Sequence, residues 1–175
     1  MGHLFSYKNP LGWLDVVEGV VQRLPRGSVH FTWLGSGPEL TATQRELERR
    51  NLQGSATLAG TVNDVSAYLE HASILLHPAT MDHEPLAVLE ALAHGVPVVA
   101  SSVGAVPEIL GRGGGGLTFE AFDSASMVEA VVAWLTDAAA RERYAKEARS
   151  RYEDLYAPNR FKDALREVIQ ATLRA

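Results

Sequence analysis

The chain has 175 residues, of which 46% are hydrophobic and 21% charged, with no cysteine and a formal net charge of −5. That is enough apolar material for a domain with a real core, because a chain of this size buries roughly 70% of the surface it exposes when unfolded. The acidic balance argues against nucleic acid as a partner, so any bound phosphate must be held locally. The lack of cysteine excludes disulfides, thiolate metal sites and a thiol nucleophile. With no apolar run of eighteen residues, the sequence reads as a cytoplasmic protein.

In chain order, β-branched apolar runs alternate with amphipathic segments, the pattern of an α/β fold with parallel strands covered by helices. Apolar residues at helical spacing predict a helix over Leu11 to Leu24, broken by Pro25 and Gly27, then a strand over Val29 to Leu34. Gly35-Ser36-Gly37-Pro38 lacks the third glycine and trailing lysine of a phosphate loop and reads as a tight turn into an exposed helix ending near Arg50. A short strand spans Ala56 to Ala59, Asn63 or Asp64 caps a helix carrying Val65, Tyr68 and Leu69, and Ser73 to His77 is a buried strand.

The best specified unit follows. Pro85 is expected at the first helical position and Gly95 just past the last one, with Leu86, Leu89, Glu90 and Ala93 on one face. A strand over Val96 to Ala100 and a short helix near Pro107 come next. The glycines from 113 to 116 read as a flexible connector, followed by a strand from Leu117 to Phe119 and helices near 124 to 136, 138 to 155 and 158 to 174. The sequence shows no internal repeat and reads as one domain over residues 1–175.

The first strand is the anomaly. In a doubly wound sheet it lies at the centre, beside the switch point where ligands bind. Here Gly2, His3 and Leu4 are all that precede the first turn, so a chain starting at Met1 lacks most of that strand. Its neighbours are then left with unpaired backbone groups, and marginal stability is expected.

Two places carry candidate chemistry. Lys8 follows the presumed strand end and can aim its ammonium at a diphosphate, although a lysine in a polar turn is more often a solvated charge. In Met81-Asp82-His83-Glu84-Pro85-Leu86-Ala87-Val88-Leu89-Glu90, acidic groups surround a helix start whose amides at Leu86, Ala87 and Val88 lack intrahelical partners, a ready anion site. Glu90 lies too deep for a phosphate but suits paired hydroxyls, as on a ribose; the competing reading is a set of favourable charges near a helix N-terminus. No histidine pair, zinc spacing or nucleophile elbow is present, so neither a metal site nor a hydrolase is indicated.

The segment from His77 to Glu108 resembles the signature of glycosyltransferase family 4: an acidic residue, seven positions and a glutamate, then Gly-x-Pro-Val-Val-Ala and Gly-x-x-Pro-Glu. Asp82 and Glu90 fit that spacing, as do Gly95, Pro97, Gly104, Pro107 and Glu108, while Gly2 to Lys8 and Gly35 to Pro38 resemble two further family segments. The resemblance covers nearly the whole chain and implies a Rossmann-like, doubly wound parallel sheet, the C-terminal half of a GT-B fold. It implies a retaining glycosyltransferase whose donor is a nucleotide diphosphate sugar, with no cofactor and no metal.

By the same resemblance Glu90 holds the donor ribose, and Asp82 or Glu84 contacts the donor sugar. Lys8 clamps the diphosphate, Pro85, Leu86 and Ala87 form the phosphate cradle, and backbone near Gly60, Thr61 and Val62 meets the base. Two departures weigh on this. His3 stands where the family carries an arginine, exchanging a permanent cation for a side chain largely neutral at pH 7, and Asp82 replaces the more frequent glutamate. The acceptor, a sugar, lipid or glycoconjugate, is expected on an N-terminal domain that this sequence does not contain, and any peripheral membrane attachment would come through it. The competing reading is a stand-alone or degenerate nucleotide-sugar-binding module without turnover.

Overall fold

A computed structural model describes residues 1–111 and 114–174. After a 3-10 turn at Ser6–Lys8 come α1 (Pro10–Val21), β1 (Phe31–Leu34), α2 (Leu40–Arg49), β2 (Ala56–Gly60), α3 (Ser66–Leu69) and β3 (Leu75–His77). There follow α4 (Leu86–Ala93), β4 (Val98–Ser101), α5 (Val106–Leu110), β5 (Gly116–Phe119), α6 (Ser124–Thr136), α7 (Ala138–Arg151), a π-helical turn (Tyr152–Tyr156) and α8 (Pro158–Arg174). The predicted helix over 138 to 155 therefore ends at Arg151 and widens into the π turn.

All pairing within the named strands is parallel, as an α/β fold with crossover helices requires, but the strands form two sheets, β1–β2 and β3–β4–β5. The β3–β4–β5 sheet is covered on both faces. Leu76 and Val99 join one core with Trp13, Val17 and Trp134, whereas Leu75, Val98 and Ala100 join another with Val88, Leu92 and Ile109. In the first core α1 packs on α6 so closely that a Cβ at Gly19 would lie 2.7 Å from Val128 Cγ2.

Several predicted strands are shorter at their N-terminal ends. Val29 and His30 fall outside β1, and Ser73 and Ile74 fall outside β3. At β1 the first ladder bond is Phe31 N to Ser55 O (2.8 Å), and at β3 it is Leu75 N to Pro97 O (2.9 Å).

The segment Gly2–Leu4 is not a strand, yet it runs along the end of β1. Gly2 N donates to Leu34 O (2.8 Å), Leu4 N donates to Ser36 O (3.0 Å), and Trp33 Nε1 donates to Gly2 O (3.0 Å). This close passage explains the Gly35-Ser36-Gly37 turn: a Cβ at Gly35 would meet Gly2 O at 2.1 Å, and one at Gly37 would meet Leu4 O at 2.5 Å. The glycines are there for backbone approach and not for a phosphate.

In the predicted glycine connector, Gly113 lies outside the described residues, and Gly115 and Gly116 are packed against neighbours. A Cβ at Gly115 would sit 2.3 Å from Ala148 Cα, and Gly116 opens β5. Among the described residues, no helix is long and apolar enough to cross a membrane.

Candidate functional site

A cleft of about 430 Å³ opens where Gly2–Lys8 faces the start of α4. Its lining includes His3, Lys8, Thr61, Val62, Asp82, Glu84, Pro85, Leu86, Ala87 and Glu90, whereas Gly60 and Val88, also nominated from the sequence, do not line it.

The Lys8 wall is built by a chain reversal. Asn9 adopts φ 55 and ψ 57, closing the 3-10 turn, and its side chain accepts from Gly12 N (3.0 Å) to cap α1, which begins at Pro10 and not at Leu11. The other end of the Asn9 amide donates to Pro78 O (3.1 Å). Tyr7 O accepts from Thr80 N (2.8 Å), so the reversal is stitched to the loop that carries Asp82.

On that loop Asp82 Oδ2 accepts from Lys8 Nζ and lies 3.0 Å from His77 Nε2. Burial pushes the Asp82 carboxyl upward, but contact with His77 and Lys8 outweighs it and holds the group down to about 2. Burial also lowers the His77 pKa, against the opposing pull of Asp82, so this imidazole is neutral at pH 7. The two shifts fit a neutral ring beside an anion that is neutralised by Lys8. Sequence reasoning placed His77 in a strand and gave it no role; the signal was a polar residue ending a strand otherwise made of Leu75 and Leu76.

The opposite wall differs from expectation in three respects. Pro85 is the N-cap, with φ −73 and ψ 102, and the helix begins at Leu86. Val88 N bonds to Pro85 O (2.9 Å), so the open amides of the first turn are those of Leu86 and Ala87, which find no acceptor among the described residues. The buried stripe of α4 is Val88, Ala91 and Leu92. Glu90 is therefore not on a packed face: it is exposed, as is Leu86 at 68%, and both point to the cleft.

Gly104 fixes the Asp82 loop. With φ +51 it passes so near that a Cβ would lie 1.8 Å from Asp82 O, and the next residue, Ala105, donates its N–H to His83 O (2.9 Å). His3 is exposed at the cleft edge, its Nδ1 3.3 Å from Ser36 O. Glu84 has no ion-pair partner among the described residues, whereas Asp82 is paired with Lys8 and lies beside the His77 ring. No cluster of potential metal ligands is found among the described residues.

The sequence model of the family described as glycosyl transferases group 1 matches residues 1–151. The chain belongs to this family. Among curated relatives of this group 1 chain, an uncharacterized glycosyltransferase of Haemophilus influenzae is 34% identical over 100 residues, covering 57% of this chain and 28% of that protein. Sulfoquinovosyl transferase of Arabidopsis thaliana is 28% identical over 145 residues, covering 80% of this chain and 27% of that protein. The group 1 chain thus spans about a third or less of these relatives' length.

Among solved structures, Anabaena HepE in complex with UDP superposes with a TM-score of 0.86 at 16% identity, over 98% of this chain and 47% of that one. The C-terminal domain of a group 1 family protein from Francisella tularensis gives 0.79 at 17% identity, over 89% of this chain and 83% of that one. At these identities the likeness shows the fold: the Rossmann-like half of a GT-B architecture.

Proposed function

We propose that this chain is the donor-binding half of a retaining glycosyltransferase, taking a nucleotide diphosphate sugar and transferring its glycosyl group to a sugar, lipid or glycoconjugate acceptor held by an N-terminal domain. The observation that carries this reading is the convergence of Lys8, Asp82, Glu84, Glu90 and the open amides of Leu86 and Ala87 on one cleft. The structurally similar HepE is found in complex with UDP, which supports a nucleotide ligand for this chain.

In this reading the diphosphate sits on the Leu86 and Ala87 amides, where partial positive charge is fixed before the ligand arrives. Lys8 neutralises the charge that grows as the sugar–phosphate bond breaks, and no metal or cofactor takes part. Its ammonium has three donors, so it can keep Asp82 while binding a phosphate oxygen. Glu90, exposed at the cleft, accepts from the ribose hydroxyls, and backbone at Thr61 and Val62 borders the base. The unpaired Glu84 competes with Asp82 for the sugar, since Asp82 is already tied to Lys8. His3 carries less permanent charge than an arginine would and gives weaker leaving-group stabilisation.

The pairing of Lys8 with Asp82 also favours a second reading, a module that binds donor without turnover. Calorimetry with a panel of UDP-, GDP- and ADP-sugars tests the first part of both. The best ligand should bind with its affinity reduced at least about tenfold by Glu90→Ala and by Lys8→Ala. Unchanged affinity in both variants would remove the assignment, and glycosyl transfer upon addition of an acceptor domain would separate the enzyme from the module.

A further inference from the structure

Helix α7 borders no part of the cleft, yet three of its arginines reach the carbonyl ends of three other helices. Arg141 Nη1 donates to Trp134 O in the last turn of α6 (2.9 Å). Arg149 Nη1 donates to Ala93 O, the last residue of α4, while its Nε is held by Glu153 Oε1 (2.6 Å). Arg151 Nη2 donates to Glu108 O (2.6 Å) and its Nε to Ile109 O, both near the end of α5. Each guanidinium thus meets carbonyls that have no partner within their own helix and the negative end of that helix's dipole.

The seat of Arg151 is made by missing side chains. A Cβ at Gly111 would lie 2.6 Å from Arg151 Cζ, and one at Gly114 would lie 2.6 Å from its Cδ. The next turn of α7 is packed as tightly, since Ala148 is fully buried against Gly115. The guanidinium is enclosed where α5 ends, so α5 cannot slide along its axis without breaking two bonds.

The far ends of the three helices differ in what they carry. α4 begins with the Leu86 and Ala87 amides, which border the cleft. α5 begins at the Ala105 N-cap, whose N–H holds His83 O between Asp82 and Glu84. α6 begins at Asp123 and contributes nothing to the cleft. A short helix is a stiff rod, so an arginine fixed at its carbonyl end also sets where its amino end stands.

We propose that Arg149 and Arg151 are positioning residues for the donor, Arg149 acting through α4 on the diphosphate and Arg151 acting through α5 on the sugar. This rests on the donor-binding reading above. Arg141 makes the same kind of bond from the same helix to one that does not reach the cleft, and it serves as the internal control.

Calorimetry on the full chain with UMP, UDP and UDP-glucose, and with the adenine and guanine counterparts, tests the division of labour. In the series that binds best, Arg149→Gln should weaken the diphosphate and its sugar conjugate alike, by about fivefold, and leave the monophosphate within about twofold. Arg151→Gln should leave mono- and diphosphate unchanged and weaken only the sugar conjugate, by about fivefold. Arg141→Gln should change none of them, although its loss of Tm should be comparable, and Arg149→Lys should recover part of the diphosphate affinity. In amide spectra without ligand, Leu86 and Ala87 should shift in Arg149→Gln, and His83 and Ala105 in Arg151→Gln. Losses equal across all ligands, or the same pattern in Arg141→Gln, would reduce the arginines to ordinary helix caps and overturn the proposal while leaving the donor reading intact. Binding of no nucleotide by the unsubstituted chain would overturn both.

Discussion

The two walls of the cleft are built by different means. The α4 wall is encoded largely locally: Pro85 sets the entry, Gly95 with φ +67 sets the exit after the C-cap His94, and Gly104, ten residues beyond that cap, seats the Asp82 loop. The Lys8 wall depends on distant residues: Trp33 and Leu34 hold Gly2, Pro78 holds Asn9, and Asp82 holds Lys8 across 74 positions. A wall of the first kind forms with its helix; a wall of the second kind exists only when the whole sheet edge is in place.

Substitutions can break each wall separately, and the largest effect belongs to the local one. Gly104→Val puts a β-branched side chain at positive φ into Asp82 O, which should cost about 3 kcal/mol or more and abolish nucleotide binding, read by denaturant unfolding and calorimetry. Wild-type stability in this variant would mean that the loop is not held as described.

Next in size is Lys8→Ala, which leaves the Asp82 carboxylate beside a neutral His77 and should cost about 2 kcal/mol. Lys8→Ala/Asp82→Asn together should lose less than the sum, because the unpaired charge is gone. Additive losses would show that the two side chains do not meet.

Asn9→Ala removes the α1 cap and the bond to Pro78 O and should cost about 1 kcal/mol in thermal or denaturant unfolding. It should weaken nucleotide binding while leaving α4 intact, and an unaffected cleft would show that the reversal is not what positions Lys8.

The smallest and most graded effect is in pH. His77 titrates below its ordinary 6.5 when folded, so as pH falls through 6.5 the unfolded chain takes up the proton first and stability begins to decline. Asp82 is held down to about 2 from 3.8, so its contribution is complete above pH 3.8 and is lost as pH falls toward 2. His77→Gln should remove the upper part of this decline in Tm and leave the lower; a pH profile unchanged by it would contradict the buried contact.

The helices read near 124 to 136 and 158 to 174 match α6 and α8, and Asp123 caps α6 by accepting from Ser126 N (3.0 Å). The predicted α4 was off by one residue at Pro85. Its buried stripe was misjudged because Leu86 and Leu89 read as apolar, whereas packing against β3 and β4 selects Val88, Ala91 and Leu92. Motif spacing singled out Asp82 and Glu90, and family resemblance added His3, Lys8, Thr61 and Val62, all of which line the one cleft. The pairing of His77, Asp82 and Lys8 was not legible, because they meet through tertiary contact. The separation of β1–β2 from β3–β4–β5 depends on where β1 and β3 come to rest and not on any local pattern.

The most direct test of the cleft is to add a UDP-sugar to isotopically labelled protein and follow backbone amide resonances. The arrangement described here predicts that Leu86 and Ala87 move most, together with Thr61 and Val62, and that Glu90→Ala weakens the response. Shifts concentrated at Thr32, Ile74 and Leu76, with Leu86 and Ala87 unmoved, would place the ligand between β1 and β3 and contradict the account.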